Sequence, residues 1–333
     1  MSRGRLSGRV AIVTGAAHGL GRAHALYMAG QGARIVVNDL GGSVHGEGRD
    51  SGPAEGVAEE IRARGGEAIA SGHDVADWHQ AQELVRVAIG AFGALHVLVN
   101  NAGIVRDRTL ANMSEAEWDD VIRVHLKGHA APTRHAMAYW RDQHKQGHPV
   151  KASIVHTSSV SGLAGIFGQA NYGAAKLGIV ALSRVAMLEG ARYGVRSNVI
   201  SPSARTRITT SMDGSQESLL PPEVDGVFDS SDPANVSPLV GWLGEENCPA
   251  TGQIFHIGGN RLLSIKLTEI VREFRVAGRW TADDLDRELS GNMAEPPSIE
   301  AFLGRPTLGQ RLEELYGDAR GAGQTTPHGR DGR

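Results

Sequence analysis

Tyr172 and Lys176 stand four positions apart. On a helix that spacing puts both side chains on one face, and Gly173, Ala174 and Ala175 keep their surroundings small. A phenol titrates near 10, so making it a base at neutral pH requires about 4 kcal/mol of extra stabilisation of its anion. A lysine ammonium has the right sign to supply part of that. The pair is therefore a candidate for taking a proton from an alcohol, or returning one to a carbonyl. Ser159 lies upstream, and its hydroxyl can hydrogen-bond a substrate oxygen as charge develops there. Taken alone, the pair reads more readily as a half-buried helix-start tyrosine and a solvated lysine, and Ser158 and Ser161 offer the same hydroxyl as Ser159.

A second constellation sits near the N-terminus. Thr14-Gly-Ala-Ala-His-Gly-Leu-Gly21 follows an apolar run and opens a helical one. Glycines in such a turn let backbone N–H groups approach a pyrophosphate at a helix N-terminus. Gly15, His18, Gly19, Leu20 and Gly21 are thus expected to contact a dinucleotide. Asp39 ends the next apolar run, where a carboxylate accepts bonds from ribose hydroxyls and repels a 2′-phosphate, so NAD is expected rather than NADP. Arg22 lies on the helix, away from that ribose edge. Asp74 and Val75 are expected to border the adenine, and Asn100, Ala102 and Gly103 to line the floor of the cofactor site. The plain alternative for each is turn chemistry.

These residues need a scaffold that brings distant loops to one edge. Val10–Val13, Arg34–Val37, Leu95–Val99, Ile154–Val155 and Val195–Ile200 read as buried strands. Helical spacing fills the intervals at Gly21–Gly30, Ala54–Arg64, Trp78–Phe92, Trp118–His144 and Tyr172–Tyr193. Asp77 has the position of an N-cap, and Ser114 with Glu117 has capping-box spacing. Alternating strands and helices predict an α/β fold: a doubly wound, mostly parallel sheet of about seven strands, with ligands at the strands' carboxyl ends. This sheet domain is expected over 1–260. Helical segments at Ser264–Phe274, Thr281–Leu289 and Leu308–Tyr316 predict a C-terminal extension over 261–318, followed by a disordered tail at 319–333.

The 333 residues, 41% hydrophobic and 21% charged, exclude a disordered chain. A net charge of −3 with scattered basic residues argues against nucleic acid, and no apolar run is long enough to insert in a membrane. The single cysteine, Cys248, forms no intrachain disulfide and no zinc cluster, so a cytoplasmic setting and no metal are expected. His18 and His156 read as loop or core residues rather than metal ligands.

Taken in order, Thr14–Gly21, Asn100-Asn-Ala-Gly103, Ser159 and Tyr172-Gly-Ala-Ala-Lys176 resemble the short-chain dehydrogenase/reductase family from Leu6 to Gly259. The resemblance implies a Rossmann-type fold, an oxidoreductase acting on CH–OH groups, and a catalytic set of Ser159, Tyr172 and Lys176. It also implies cofactor contacts by Tyr172, Lys176 and Pro202, and a homodimer or homotetramer. Its spacing is what singles out Ser159 among the neighbouring serines. Asn38-Asp-Leu-Gly-Gly42, Arg106-Asp-Arg108, Val124-His-Leu126 and Gly168–Tyr172 are most similar to one branch. That branch comprises the dehydrogenase domain of the peroxisomal multifunctional β-oxidation enzyme and bacterial (3R)-hydroxyacyl-CoA or hydroxysteroid dehydrogenases. An acyl-CoA-like or steroid-like substrate is expected from it.

Two positions depart from the wider family: His125 stands where Asn supports a relay water, and Asn198-Val-Ile-Ser-Pro-Ser203 lacks the glycine after proline. Two other readings compete. One is an NADPH-dependent 3-oxoacyl reductase, which Asp39 opposes. The other is a dinucleotide-binding scaffold without turnover, which has no use for a base.

Overall fold

A computed structural model of the chain describes residues 4–210, 220–222, 226–276 and 278–292, with Ile299 and Phe302. The sheet has strands β1 (Val10–Thr14), β2 (Arg34–Asn38), β3 (Glu67–Ser71), β4 (Val97–Asn100), β5 (Ala152–Thr157), β6 (Val195–Ser203), β7 (Ile254–Gly258) and β8 (Arg261–Ile265). Their spatial order is β3-β2-β1-β4-β5-β6-β7-β8, parallel throughout except for the last pair. The order reverses between β1 and β4, which places a crevice at their carboxyl ends.

The helices are α1 (Gly19–Gly30), α2 (Gly52–Ala63), α3 (Trp78–Phe92), α4 (Glu115–Ile122), α5 (Gly128–Lys145), α6 (Val160–Ala164), α7 (Ala170–Gly190), α8 (Arg207–Thr210), α9 (Ser237–Gly244) and α10 (Ala282–Leu289). Alternation along β1 shows how the layers are built. Ala11 and Val13 pack with Met28, Ile61 and Leu243 on the α1, α2 and α9 side. Val10 and Ile12 pack with Leu84, Trp140 and Ala186 on the α3, α5 and α7 side. Both faces are covered, which is why the strands read as continuous apolar runs rather than alternating ones. Asp77 caps α3 by accepting from Gln80 N at 2.8 Å, and Ser114 and Glu117 form the full capping box of α4.

Three expectations change. The stretch read as one helix from Trp118 is interrupted by a π-helical turn at Arg123–Lys127. Ser264–Phe274 is not helical: Arg261–Ile265 returns as the eighth strand, antiparallel to β7, and residues 266–276 form no regular element. The physical reason is the two-residue Gly259-Asn260 turn, with Gly259 at φ +55°, which favours a hairpin over a helix start. The sheet therefore has eight strands instead of about seven. The expected helix at Thr281–Leu289 forms as α10, with Thr281 as its cap. Leu308–Tyr316 and the 319–333 tail lie outside the described residues. The chain forms two compact units, Met1–Ile270 and Val271–Arg333, and the sheet lies within the first.

Candidate active site

The glycine loop leaves β1 with Gly15 at φ +64°, a left-handed conformation that favours glycine. A Cβ there would fall 2.7 Å from Ala102 Cα, and one at Gly21 only 2.1 Å from the Gly15 carbonyl oxygen. The loop thus folds tightly on itself and on the β4 loop. Asn101 clamps it, donating from Nδ2 to the carbonyls of Thr14 and Gly15 at 2.9 and 3.2 Å. Thr14 Oγ1 in turn accepts from the backbone N–H groups of Asn101 and Ala102. Neither Thr14 nor Asn101 was among the expected site residues. The signal was present in the NNAG run, where the second asparagine rather than the first meets the loop.

Asn100 turns its side chain into the interior, donating to Thr133 Oγ1 at 3.0 Å. Ala102 and Gly103 follow just after the end of β4. His18 precedes α1 without capping it through its side chain, and the helix has no acidic residue in its first turn. The leading N–H groups of α1 are therefore open to an anion, which fits a pyrophosphate. Burial, followed by nearby Arg207, lowers the His18 pKa. Leu20 packs partly against the core, and Gly19 comes near Thr206 in the loop after β6.

Asp39 follows β2 with its carboxylate fixed at the loop: Oδ2 accepts from Ala17 N at 2.9 Å and Oδ1 from Gly41 N at 2.8 Å. The carboxylate is thereby held against the glycine loop. Arg22 faces Glu60 on α2, 2.6 Å away. Asp74 accepts from Ala76 N and pairs with Arg123 at 3.0 Å, while Val75 is buried against the core. Pro202 pairs with Ile257 near the end of β6.

The candidate catalytic residues converge from β5, α6 and α7. Ser159 caps α6, accepting from Ser161 N at 3.1 Å, and its hydroxyl hydrogen bonds the Tyr172 phenol. Ser158 is committed to the Lys176 carbonyl oxygen at 2.8 Å, and Ser161 is buried. Lys176 is 2% exposed, donates from Nζ to the Thr157 carbonyl oxygen at 2.7 Å, and lies 5.3 Å from the Tyr172 ring centre. Burial brings the lysine pKa down to about 7. Burial also pushes the Tyr172 phenol up to about 12, opposed by a hydrogen bond from Ser159 and assisted by the Asp107 carboxylate. The chain alone thus holds the phenol above its ordinary value, opposite to what a base needs. Desolvation outweighs the hydrogen bond from Ser159.

Asn171 and His125 orient the tyrosine. Asn171, fully buried, donates to the carbonyls of Arg106 and Glu117 and accepts from Tyr172 N at 2.7 Å. His125, on the π-helical turn, contacts Ile104 O through Nε2 at 2.7 Å and meets Tyr172 edge to face at 5.0 Å. Burial and the Lys176 charge hold its pKa well below the ordinary imidazole value, so it is neutral.

A family model described as short chain dehydrogenase matches residues 9–218. Hydroxyacyl-CoA dehydrogenase ChsB1 of Mycobacterium tuberculosis is 43% identical over 306 residues, 89% of this chain and 92% of that protein. Peroxisomal multifunctional enzyme type 2 of Mus musculus is 43% identical over 254 residues, 76% of this chain but only 32% of that enzyme. A crystal structure of a short chain dehydrogenase from Mycobacterium avium superposes with a TM-score of 0.78 at 47% identity, covering 89% of this chain and 99% of that one. With the glycine cradle and the Ser159, Tyr172 and Lys176 cluster in place, the chain belongs to the short-chain dehydrogenase/reductase family, oxidoreductases that bind a nicotinamide dinucleotide.

Proposed function

We propose that the protein is an NAD-dependent dehydrogenase that interconverts a secondary alcohol and a ketone on a 3-hydroxyacyl-CoA or hydroxysteroid substrate. The observation that carries this reading is the buried Lys176 amine 5.3 Å from the Tyr172 ring, with Ser159 on the same side. The preference for NAD is supported by Asp39, whose carboxylate is fixed against the glycine loop. The substrate class is supported by the 43% identity to hydroxyacyl-CoA dehydrogenase ChsB1 over most of both chains.

In this reading the glycine loop and the α1 N-terminus hold the pyrophosphate, and Asp39 holds the adenosine ribose. The bound nicotinamide supplies the hydride acceptor and, when oxidised, a positive charge. Ser159 donates its hydroxyl hydrogen to the substrate oxygen and fixes its position. Tyr172 takes the hydroxyl proton during oxidation and returns it during reduction. Lys176 favours the phenolate by its charge, and Asn171 and His125 keep the phenol aimed at the substrate.

A cytoplasmic setting and a homodimer or homotetramer belong to the same reading. The buried thiol of Cys248 suits a reducing compartment. Leu177, Val185 and Leu188, 43%, 50% and 70% exposed, form an apolar strip on α7 that suits a second copy of the chain. Gly178, by contrast, is filled from within the chain by Leu126.

The test is initial-rate measurement with a panel of 3-hydroxyacyl-CoA thioesters and hydroxysteroids, with NAD and NADP in parallel. Turnover of a member of either class with NAD is expected. A strong preference for NADP, or turnover of neither class, contradicts the reading.

A further inference from the structure

Residues 40–50, between β2 and α2, have no role in the chemistry above. Their neck is closed: Asp50 N donates to Leu40 O at 3.2 Å, and a Cβ on Gly41, at φ +77°, would meet the Asp50 carbonyl. Inside the loop, Ser43 Oγ accepts from the N–H groups of His45 and Glu47, both at 3.2 Å. Ser43 N donates to Glu47 O, and Gly46 N to Ser43 O. A surface loop closed at its neck and tied by its own groups is an Ω-loop, a compact unit rather than a trailing segment. At its root stands Asp39, whose carboxylate accepts from Ala17 N in the glycine loop.

The tip of the loop is fastened to the chain beyond β4. Val44 O accepts from Val105 N at 3.1 Å, and His45 Nδ1 donates to Val105 O at 3.2 Å. Glu47 Oε1 lies 3.6 Å from Arg106 Nη1. Gly46 leaves room for Ile104, whose Cδ1 would lie 3.3 Å from a Cβ there. All four contacts fall on residues 104–106. In the sheet β1 stands between β2 and β4. Neighbouring strands are about 4.8 Å apart, so the loop spans roughly 10 Å and bridges the carboxyl end of β1, where the crevice opens. It is a strap across the dinucleotide crevice.

The same three residues carry the groups that orient Tyr172. Ile104 O bonds His125 Nε2 at 2.7 Å, and His125 packs against the tyrosine ring. Arg106 O accepts from Asn171 Nδ2 at 3.1 Å, and Asn171 Oδ1 accepts from Tyr172 N at 2.7 Å. The strap's own grip is slight. Ser43, His45, Gly46 and Glu47 are exposed, and an ion pair whose Glu47 side chain is 73% exposed adds little. A segment with few buried contacts and solvent-exposed backbone bonds opens locally at low cost.

We infer that the strap at residues 40–50 opens to admit the dinucleotide and closes over it, and that when closed its hold on residues 104–106 keeps Tyr172 in line. His45 is then a positioning residue that acts through Val105 and never touches the substrate. The link to Tyr172 rests on the role given to that residue in the proposed function. The retention of the cofactor rests on the crevice alone.

Amide hydrogen exchange of the full chain, without substrate, tests the strap itself. Saturating NAD is expected to slow exchange at Gly46, Asp50 and Val105, whose N–H groups close the strap on itself and on the chain beyond β4. Unchanged exchange overturns the proposal. His45→Ala removes the donor to Val105 O. NADH, followed by its fluorescence in stopped flow, is expected to leave this variant about three- to tenfold faster, the factor that one lost hydrogen bond gives. Hydride transfer to saturating NAD in a single turnover, with the substrate that the panel above selects, is expected to slow by a similar factor. His45→Asn, which keeps an N–H donor near the place of Nδ1, is expected to restore both rates. Wild-type release or wild-type transfer in His45→Ala overturns the proposal, as do equal losses in the two variants. His45 is exposed, so both variants are expected to keep the wild-type thermal midpoint. A wild-type transfer rate in Tyr172→Phe would overturn the role of the tyrosine, whereas amide exchange and NADH release, measured without substrate, stand or fall on the strap alone.

Discussion

His125 occupies the space that a side chain on Gly103 would need: a Cβ on Gly103 would fall 2.3 Å from His125 Cε1. Gly103→Ala must therefore displace a ring that is held by Ile104 and packed at 5.0 Å against Tyr172. Overpacking of this kind costs about 1–3 kcal/mol. A lower unfolding midpoint in denaturant is expected, together with a fall in kcat larger than any change in NAD affinity. Wild-type kcat in a destabilised Gly103→Ala protein would mean that His125 does not position the tyrosine.

With Tyr172 and Lys176 acting as the proposed acid–base pair, the first proton is expected to leave near the depressed lysine value of about 7. Loss of that proton gives the net charge that the phenolate–ammonium form requires. The rate of alcohol oxidation, as kcat/KM, is expected to rise with pH up to about 7 and then level off. In Lys176→Met the inflection should move upward toward the phenol, which burial pushes up to about 12. Measured pH–rate profiles of the two proteins check this. A shared inflection would remove the lysine from the ionisation.

In the proposed reading, the Asp39 carboxylate fixed against the glycine loop sets the cofactor preference. On that reading, Asp39→Asn weakens the proposed bonds to the ribose hydroxyls and removes the repulsion of a 2′-phosphate. Affinity for NAD is expected to fall on the order of tenfold, about 1.4 kcal/mol, while affinity for NADP rises. Cofactor titration followed by intrinsic fluorescence checks both directions.

Acid stability follows from four buried histidines. His24, His125, His129 and His156 are at most 1% exposed, and burial lowers the pKa of each, to about 3 for His24 and His156. Because the folded values lie below the unfolded one of about 6.5, the unfolded chain binds protons first as pH falls. Stability is full above that value and is lost below it, by up to about 1.4 kcal/mol per pH unit for each histidine. A thermal midpoint that drops steeply between about pH 6.5 and pH 4.5 is expected from that linkage, and a flat profile would contradict it.

Much of this fold was legible because doubly covered parallel strands leave unbroken apolar runs, as Val10–Thr14 and Arg34–Asn38 do. The hairpin to β8 was missed because Arg261–Ile265 carries no long apolar run, although the Gly259-Asn260 turn announced it. Ser159, Tyr172 and Lys176 could be named from type and order. Asn101 and Asn171 could not, because their contacts join segments far apart in sequence. The depressed lysine and elevated phenol also lay beyond the sequence, since both arise from burial that only the packed α6 and α7 create.

The central claim is that the Tyr172 phenol is the acid–base group of the reaction. Tyr172→Phe removes one oxygen from a side chain whose ring packing is otherwise kept, so hydride transfer to bound NAD in a single turnover tests it most directly. NAD affinity is expected to match the wild type, with the transfer rate lower by at least about a hundredfold. A Tyr172→Phe protein that transfers hydride at the wild-type rate would contradict the claim.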